Sequence, residues 1–207
     1  MVDATPSHPH TVLTSMTIVE NYLKHRNVKY IYLSLDLVLY RLALYIKWSN
    51  MLRWQKFILR PGGMHTLMSF VGSIGSLMKG SGLEEIISVS FAGVRNIING
   101  KAWPKALRSF RMVTAAILEP VVERERSPQK ILSYIDAARM SKTSRLWIDC
   151  FLIPVSIMHW FVRAEREGNW PLHQHCLERM LPYLFAAGHW NYARYSPEIC
   201  VLHKLEL

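Results

Sequence analysis

Apolar positions recur along this chain with two periods, and the period changes where the local chemistry changes. Val12, Met16, Val19 and Leu23 sit at helical spacing, so residues 11–25 read as an amphipathic helix. "VKYIYLSLD" is β-branched and aromatic, and reads as a short buried strand ending at Asp36. "LVLYRLALYIKWSNML" returns to the helical period, and "WQKFILR" is a second strand candidate closed by Pro61, Gly62 and Gly63. Strand, helix, strand predicts a parallel βαβ unit with a right-handed crossover.

Beyond Gly63 the pattern is helical almost throughout. "MHTLMSFVGSIGSLMK" predicts one helix and "GLEEIISVSFAGVRNII" another, stopped by Asn99 and Gly100. A long helix follows over "WPKALRSFRMVTAAILEPVVERE", with a kink or split expected at Pro120. Ser127 and Pro128 have the chemistry of an N-cap and first helical residue. "TSRLWIDCFLIPVSIMHWFVRAERE" predicts a second long helix interrupted at Pro154, and a last helix runs from Trp170 to Gly188. The expected architecture is α/β and predominantly helical, with two or three short strands near the N-terminus followed by a helical bundle. A single domain over 1–207 is expected, with a βαβ-like part at 10–80, a helical part at 81–195 and an irregular tail at 196–207.

Composition narrows the classes. Half of the 207 residues are apolar and 19% are charged, enough for a core and too apolar for a disordered chain. The net charge of +10 favours polyanionic partners such as nucleic acid (DNA or RNA) or anionic lipid, although the basic residues are spread along the chain as on many solvated surfaces. Cys150, Cys176 and Cys200 have no metal-like spacing and read as reduced thiols, and no secretory signal is visible. Both point to an intracellular protein, nuclear or cytoplasmic. Tyr30–Ile46 is apolar over 17 residues, but Asp36 and Arg41 would each cost about 2.5–3.5 kcal/mol at mid-membrane. A strand and a helix fit that stretch better than a span.

Candidate chemistry is sparse. The glycines of "RPGGMHTLMSFVGSIGSLMKGSGLEE" match no phosphate-loop or dinucleotide spacing. Ser69, Gly72, Ser73, Gly75 and Ser76 instead line one side of a helix, which suits close packing of another element. His65 stands just past a strand end, where βαβ folds place functional side chains, and Asp36 ends the neighbouring strand. Together they are the catalytic candidates, able to share a divalent cation or a water. Lys101, Lys105 and Arg108 fall at i, i+4 and i+7 with Arg111 adjoining. This stripe suits a phosphate backbone and equally a solvated helix face. In "HQHC", His173 and Cys176 share a helix side while His175 does not, so zinc is not expected and no metal site is assigned.

Four phrases, "SLDLVLYRLAL" at 34–44, "GGMHTLMSFVGSIGSLMKGSGLEE" at 62–85, "INGKAWPKALRSF" at 98–110 and "RAEREGNWPLHQHCLERMLPYLFAAGHWNYARY" at 163–195, together resemble a large transposon-derived family of uncharacterised animal proteins. Its larger relatives look like transposases with a ribonuclease-H-like core, whose strand-end carboxylates hold two metal ions. The resemblance matches Asp36 to the family's strand-end aspartate and His65 to its histidine after the double glycine. It makes His189, Asn191, Tyr192 and Arg194 a C-terminal signature. Leu37 stands where the family has glutamine, and the family's proteins extend further on the N-terminal side. The resemblance therefore implies a non-catalytic fragment, binding nucleic acid or protein and needing no cofactor. The alternative is a magnesium- or manganese-dependent nuclease or transposase remnant using Asp36, His65 and Glu165 or Glu178. A membrane-associated helical protein is the weaker alternative.

Overall fold

A computed structural model describes Thr5 and residues 7–195, so the tail expected at 196–207 lies outside the described residues. The backbone divides into two compact units, 1–65 and 66–207. The division falls in the first turn of the glycine-bearing helix, which the sequence pattern groups with the strands.

The first unit is built around the expected βαβ motif. Helix α1 (Pro9–Leu23) precedes strand β1 (Ile31–Leu35), helix α2 (Leu37–Ser49), a single turn α3 (Met51–Trp54) and strand β2 (Phe57–Pro61). The strands pair in parallel, from Ile31 opposite Phe57 to Leu35 opposite Pro61. A parallel pair needs a crossover, and α2 supplies it: Tyr40, Ala43 and Leu44 turn inward at helical spacing and are buried. Tyr30–Ile46 is therefore a strand followed by a helix. Asn50 ends α2 and starts α3, its side-chain oxygen accepting from the Arg53 N–H at 3.1 Å. Trp54 and Phe57, both buried, meet edge to face at 5.3 Å.

Among its described residues the second unit forms helices joined by turns, and with the two short strands of the first unit the chain is α/β and predominantly helical, as expected. Helix α4 (Gly63–Leu77) enters it, followed by α5 (Leu83–Ser88), α6 (Val94–Ile98), α7 (Trp103–Glu125), α8 (Pro128–Ala138), α9 (Lys142–Trp147), α10 (Ile153–Glu167) and α11 (Trp170–Ala186). Its core joins Phe70, Val71 and Ile74 of α4 to Phe110, Val155, Met158, Phe161 and Met180. Helices α10 and α11 form an antiparallel hairpin. Gly168 takes a left-handed φ of 64°, and Asn169 caps α11 by accepting from the Leu172 N–H at 3.1 Å.

Four local expectations are corrected. The single helix drawn over 82–98 is two, because Gly93 adopts φ 75° and starts a new axis at α6. Helix α7 is not split at Pro120 and runs 23 residues through it. Ser127 precedes α8, yet its hydroxyl bonds the Gln129 side chain at 3.1 Å instead of capping the helix. At Pro154 the helix does not stop. A π-helical turn, Ile148–Leu152, joins α9 to α10 just ahead of the proline. Pro154 has no N–H, and its ring would strike the carbonyl four residues back; the wider π turn moves that carbonyl aside. The joined stretch Lys142–Glu167 is long and apolar enough to cross a membrane, with mean hydropathy 1.3 over 18 residues. Its inward side chains Val155, Ile157, Met158 and Phe161 form part of the core.

Candidate nucleic-acid interface

The glycines of α4 do pack against another element, and that element leads into the basic stripe. A Cβ on Gly75 would overlap the Ile98 carbonyl, and one on Gly72 would stand 3.1 Å from the Asn99 carbonyl oxygen. The loop between α6 and α7 thus lies directly on the α4 backbone. Gly100 completes the fit, with φ 81° and no room for a Cβ beside the Met68 carbonyl. Asn99 then accepts from the Lys101 N–H at 3.0 Å, and the Ala102 N–H bonds the Asn96 carbonyl at 2.8 Å. Lys101 leaves this turn from a fixed backbone.

His189 closes the same place from the C-terminal side. Its Nε2 lies 3.6 Å from where a Cβ on Gly72 would sit, and burial holds its imidazole below the usual histidine range. Three of the four phrases behind the family resemblance therefore meet at one packing point. Of the remaining signature residues, Tyr192 packs on the core, Asn191 is exposed, and Arg194 is exposed with its guanidinium 5.7 Å from the Tyr195 ring.

From Lys101 the chain enters α7, whose inward face is Ala106, Ser109, Phe110 and Val113. Lys101, Lys105, Arg108 and Arg111 are all exposed, and none has a carboxylate partner among the described residues. The expected stripe is not all helical: Lys101 lies in the turn before α7, Lys105 in its first turn, where the macrodipole is positive, and Arg108 and Arg111 follow in the next two turns of the helix. Its acidic residues, Glu119, Glu123 and Glu125, lie in the distal half. Arg111 also acts on His159 of α10, whose imidazole is held low first by burial and then by that positive charge.

Asp36 and His65 stand at the carboxyl end of the two-stranded sheet, as the strand pattern predicts. Asp36 is engaged locally: its Oδ1 accepts from the Leu39 N–H at 2.9 Å and caps α2. His65 Nδ1 lies 3.9 Å from where a Cβ on Gly62 would sit, beside the turn where the Gly62 N–H bonds the Leu35 carbonyl at 2.6 Å. The other described carboxylate of the first unit, Glu20, is ion-paired to Arg53 at 2.8 Å. Among the described residues, no group of three or more His, Cys, Asp or Glu side chains is placed to hold a metal ion. In the second unit Glu165 bonds His173 Nε2 at 2.7 Å, and Glu178 is exposed on α11. His173 and Cys176 are buried and His175 is exposed, the division expected of "HQHC". His173 is stacked on Trp170 at 4.8 Å.

Residues 1–133 and 126–202 match the family described as Domain of unknown function (DUF8702). The chain belongs to the DUF8702 family. No curated protein and no solved structure matches it. The two matched segments of this DUF8702 chain meet at 126–133, where α7 gives way to α8 through Arg126 at φ 49°. Sequence reasoning missed His159 beside Arg111 and the Glu165–His173 pair. His159 lies 48 residues from Arg111, and the pair spans a helix hairpin; neither has a spacing signal within one element.

Proposed function

We propose that this DUF8702 chain is a non-catalytic binding fragment of transposon descent that holds DNA or RNA on the basic face of α7. One observation carries the reading: Lys101, Lys105, Arg108 and Arg111 are exposed without carboxylate partners among the described residues, over the first half of α7 and the turn that leads into it. Phosphate contacts of this kind position a backbone without reading bases, so the expected binding is weakly sequence-dependent. The support for descent is the ordered run of phrases shared with that family. An intracellular setting, nuclear or cytoplasmic, goes with the reading. The nuclease alternative has no comparable support, since Asp36 is a helix cap.

Fluorescence anisotropy with a labelled duplex and a labelled single strand tests it. Four phosphate contacts give a slope of log K against log salt of about −3.6 on duplex DNA. Lys105→Ala with Arg108→Ala removes about half of that slope. Absent binding, salt-insensitive binding, or an unchanged slope in the double variant refutes the assignment.

A further inference from the structure

The hairpin of α10 and α11 carries a cleft of about 290 Å³ whose own lining is both aromatic and cationic. Ser156 and Trp160, one turn apart on α10, form one wall, and His175 and Arg179, one turn apart on α11, form the other. Between the walls lie Ile157 and Cys176, both buried. Burial pushes the Cys176 thiol up to about 11, so this floor is neutral and the thiol is no nucleophile at neutral pH.

Trp160 is half exposed, although an indole is ordinarily well buried. Arg163 lies 5.4 Å over its ring and is itself held by Glu167 at 2.7 Å, so the ring is braced without being covered. Arg179 is exposed and has no carboxylate partner among the described residues. Glu178 lies about 100° further round α11 and does not line the cleft, and Glu165 bonds His173. His159, next to Trp160 on α10, feels the charge of Arg111, so the last residue of the α7 stripe adjoins the helix that carries the indole.

We propose that this cleft takes one unpaired nucleotide of a single-stranded nucleic acid, its base stacked on Trp160 and its phosphate against His175 and Arg179. The assignment rests on the nucleic-acid reading of α7 and narrows it from DNA or RNA at large to strands with unpaired bases. A flat ring facing a cationic wall matches a planar base joined to an anionic phosphate. In a duplex the base faces are already stacked on one another and cannot reach the indole. An acidic peptide would use the cations but would leave the ring without a stacking partner.

Anisotropy of the full chain with labelled oligothymidine, and with the duplex it forms with oligoadenine, tests the proposal. Trp160→Ala weakens the single strand about 5- to 150-fold, the loss of one stacked base, and leaves duplex affinity unchanged. Arg179→Ala lowers the single-strand salt slope by about 0.7 and leaves the duplex slope as it was. Unlabelled oligothymidine quenches tryptophan fluorescence saturably, and most of that quenching disappears in Trp160→Phe, which still binds. Circular dichroism and the urea midpoint establish that each variant is folded. Single-strand affinity unchanged in folded Trp160→Ala, with the duplex still bound, overturns the cleft assignment and leaves the α7 reading standing. Oligoglutamate bound as tightly as oligothymidine of equal charge overturns it too. Single-strand binding that falls in Trp160→Ala but keeps its slope in Lys105→Ala with Arg108→Ala supports the cleft and refutes the stripe. Absence of binding to either nucleic acid refutes both.

Discussion

Gly75→Ala sets two effects of opposite sign against each other at one position. Gly75 lies inside α4, where alanine is the better helix former by about 1 kcal/mol. Were the α4 surface open there, the substitution would stabilise the protein. But the new Cβ would overlap the Ile98 carbonyl, well inside the ~3.5 Å at which heavy atoms settle. That neighbour is backbone and cannot rotate away, so either the 98–100 loop lifts or α4 shifts. Overpacking of this kind costs about 1–3 kcal/mol, and a rigid backbone neighbour argues for the upper end. The net loss is about 2 kcal/mol, or a fall of about 4–8 °C in Tm for a chain of this size. Gly72→Ala is the internal comparison: its Cβ would stand 3.1 Å from the Asn99 oxygen, so a small adjustment suffices and the net change is near zero. Urea unfolding followed by circular dichroism reads both variants, with Cm as the measure and m as the check on two-state behaviour. Gly75→Ala should also weaken DNA binding, because the displaced loop carries Lys101. A Cm at or above wild type for Gly75→Ala would refute the contact between α4 and the loop.

Two further perturbations address the histidines and Asp36. His159 and His189 are both held below their ordinary range, by burial first. Their stabilising contribution is thus complete above about pH 6.5 and is lost as pH falls further, while the unfolded chain takes up protons that the folded one does not. The urea midpoint should drop between pH 6.5 and 5, less steeply in His189→Asn, and a flat or rising midpoint contradicts this. Asp36→Ala should cost about 1 kcal/mol through the lost cap, with Asp36→Ser retaining most of the stability. Magnesium or manganese should leave the wild-type Tm unchanged. A metal-dependent rise in Tm that disappears in Asp36→Ala would restore the shared-metal reading.

Much of the element order was legible because it rests on local energies. The change from period 2 to period 3.6 marks β1, α2, β2 and α4, and a parallel pair follows from the helix between two strands. Glycine and proline marked most boundaries, since Gly168 and Gly100 adopt positive φ and Pro171 opens α11. The same local signals misplaced Gly93 and Pro154. Whether a glycine breaks a helix, or a proline is absorbed by a π turn, depends on what each flanking segment can bury.

The purpose of the α4 glycines was readable from their spacing, but their partner was not. Only the folded chain brings the 98–100 loop and His189 to Gly72 and Gly75, because contacts between distant segments leave no periodic trace in any one of them. The exposed face of α7 followed from its helical wheel, while the lack of carboxylate partners for it among the described residues depended on where the acidic side chains of every element fell. Asp36 shows the limit most plainly. Its position at a strand end was determined by the sequence, and its engagement by the Leu39 N–H was decided by how the next helix starts. Local propensity sets which segments become helices and strands. Burial and hydrogen-bond satisfaction across the chain decide which side chains stay available for chemistry.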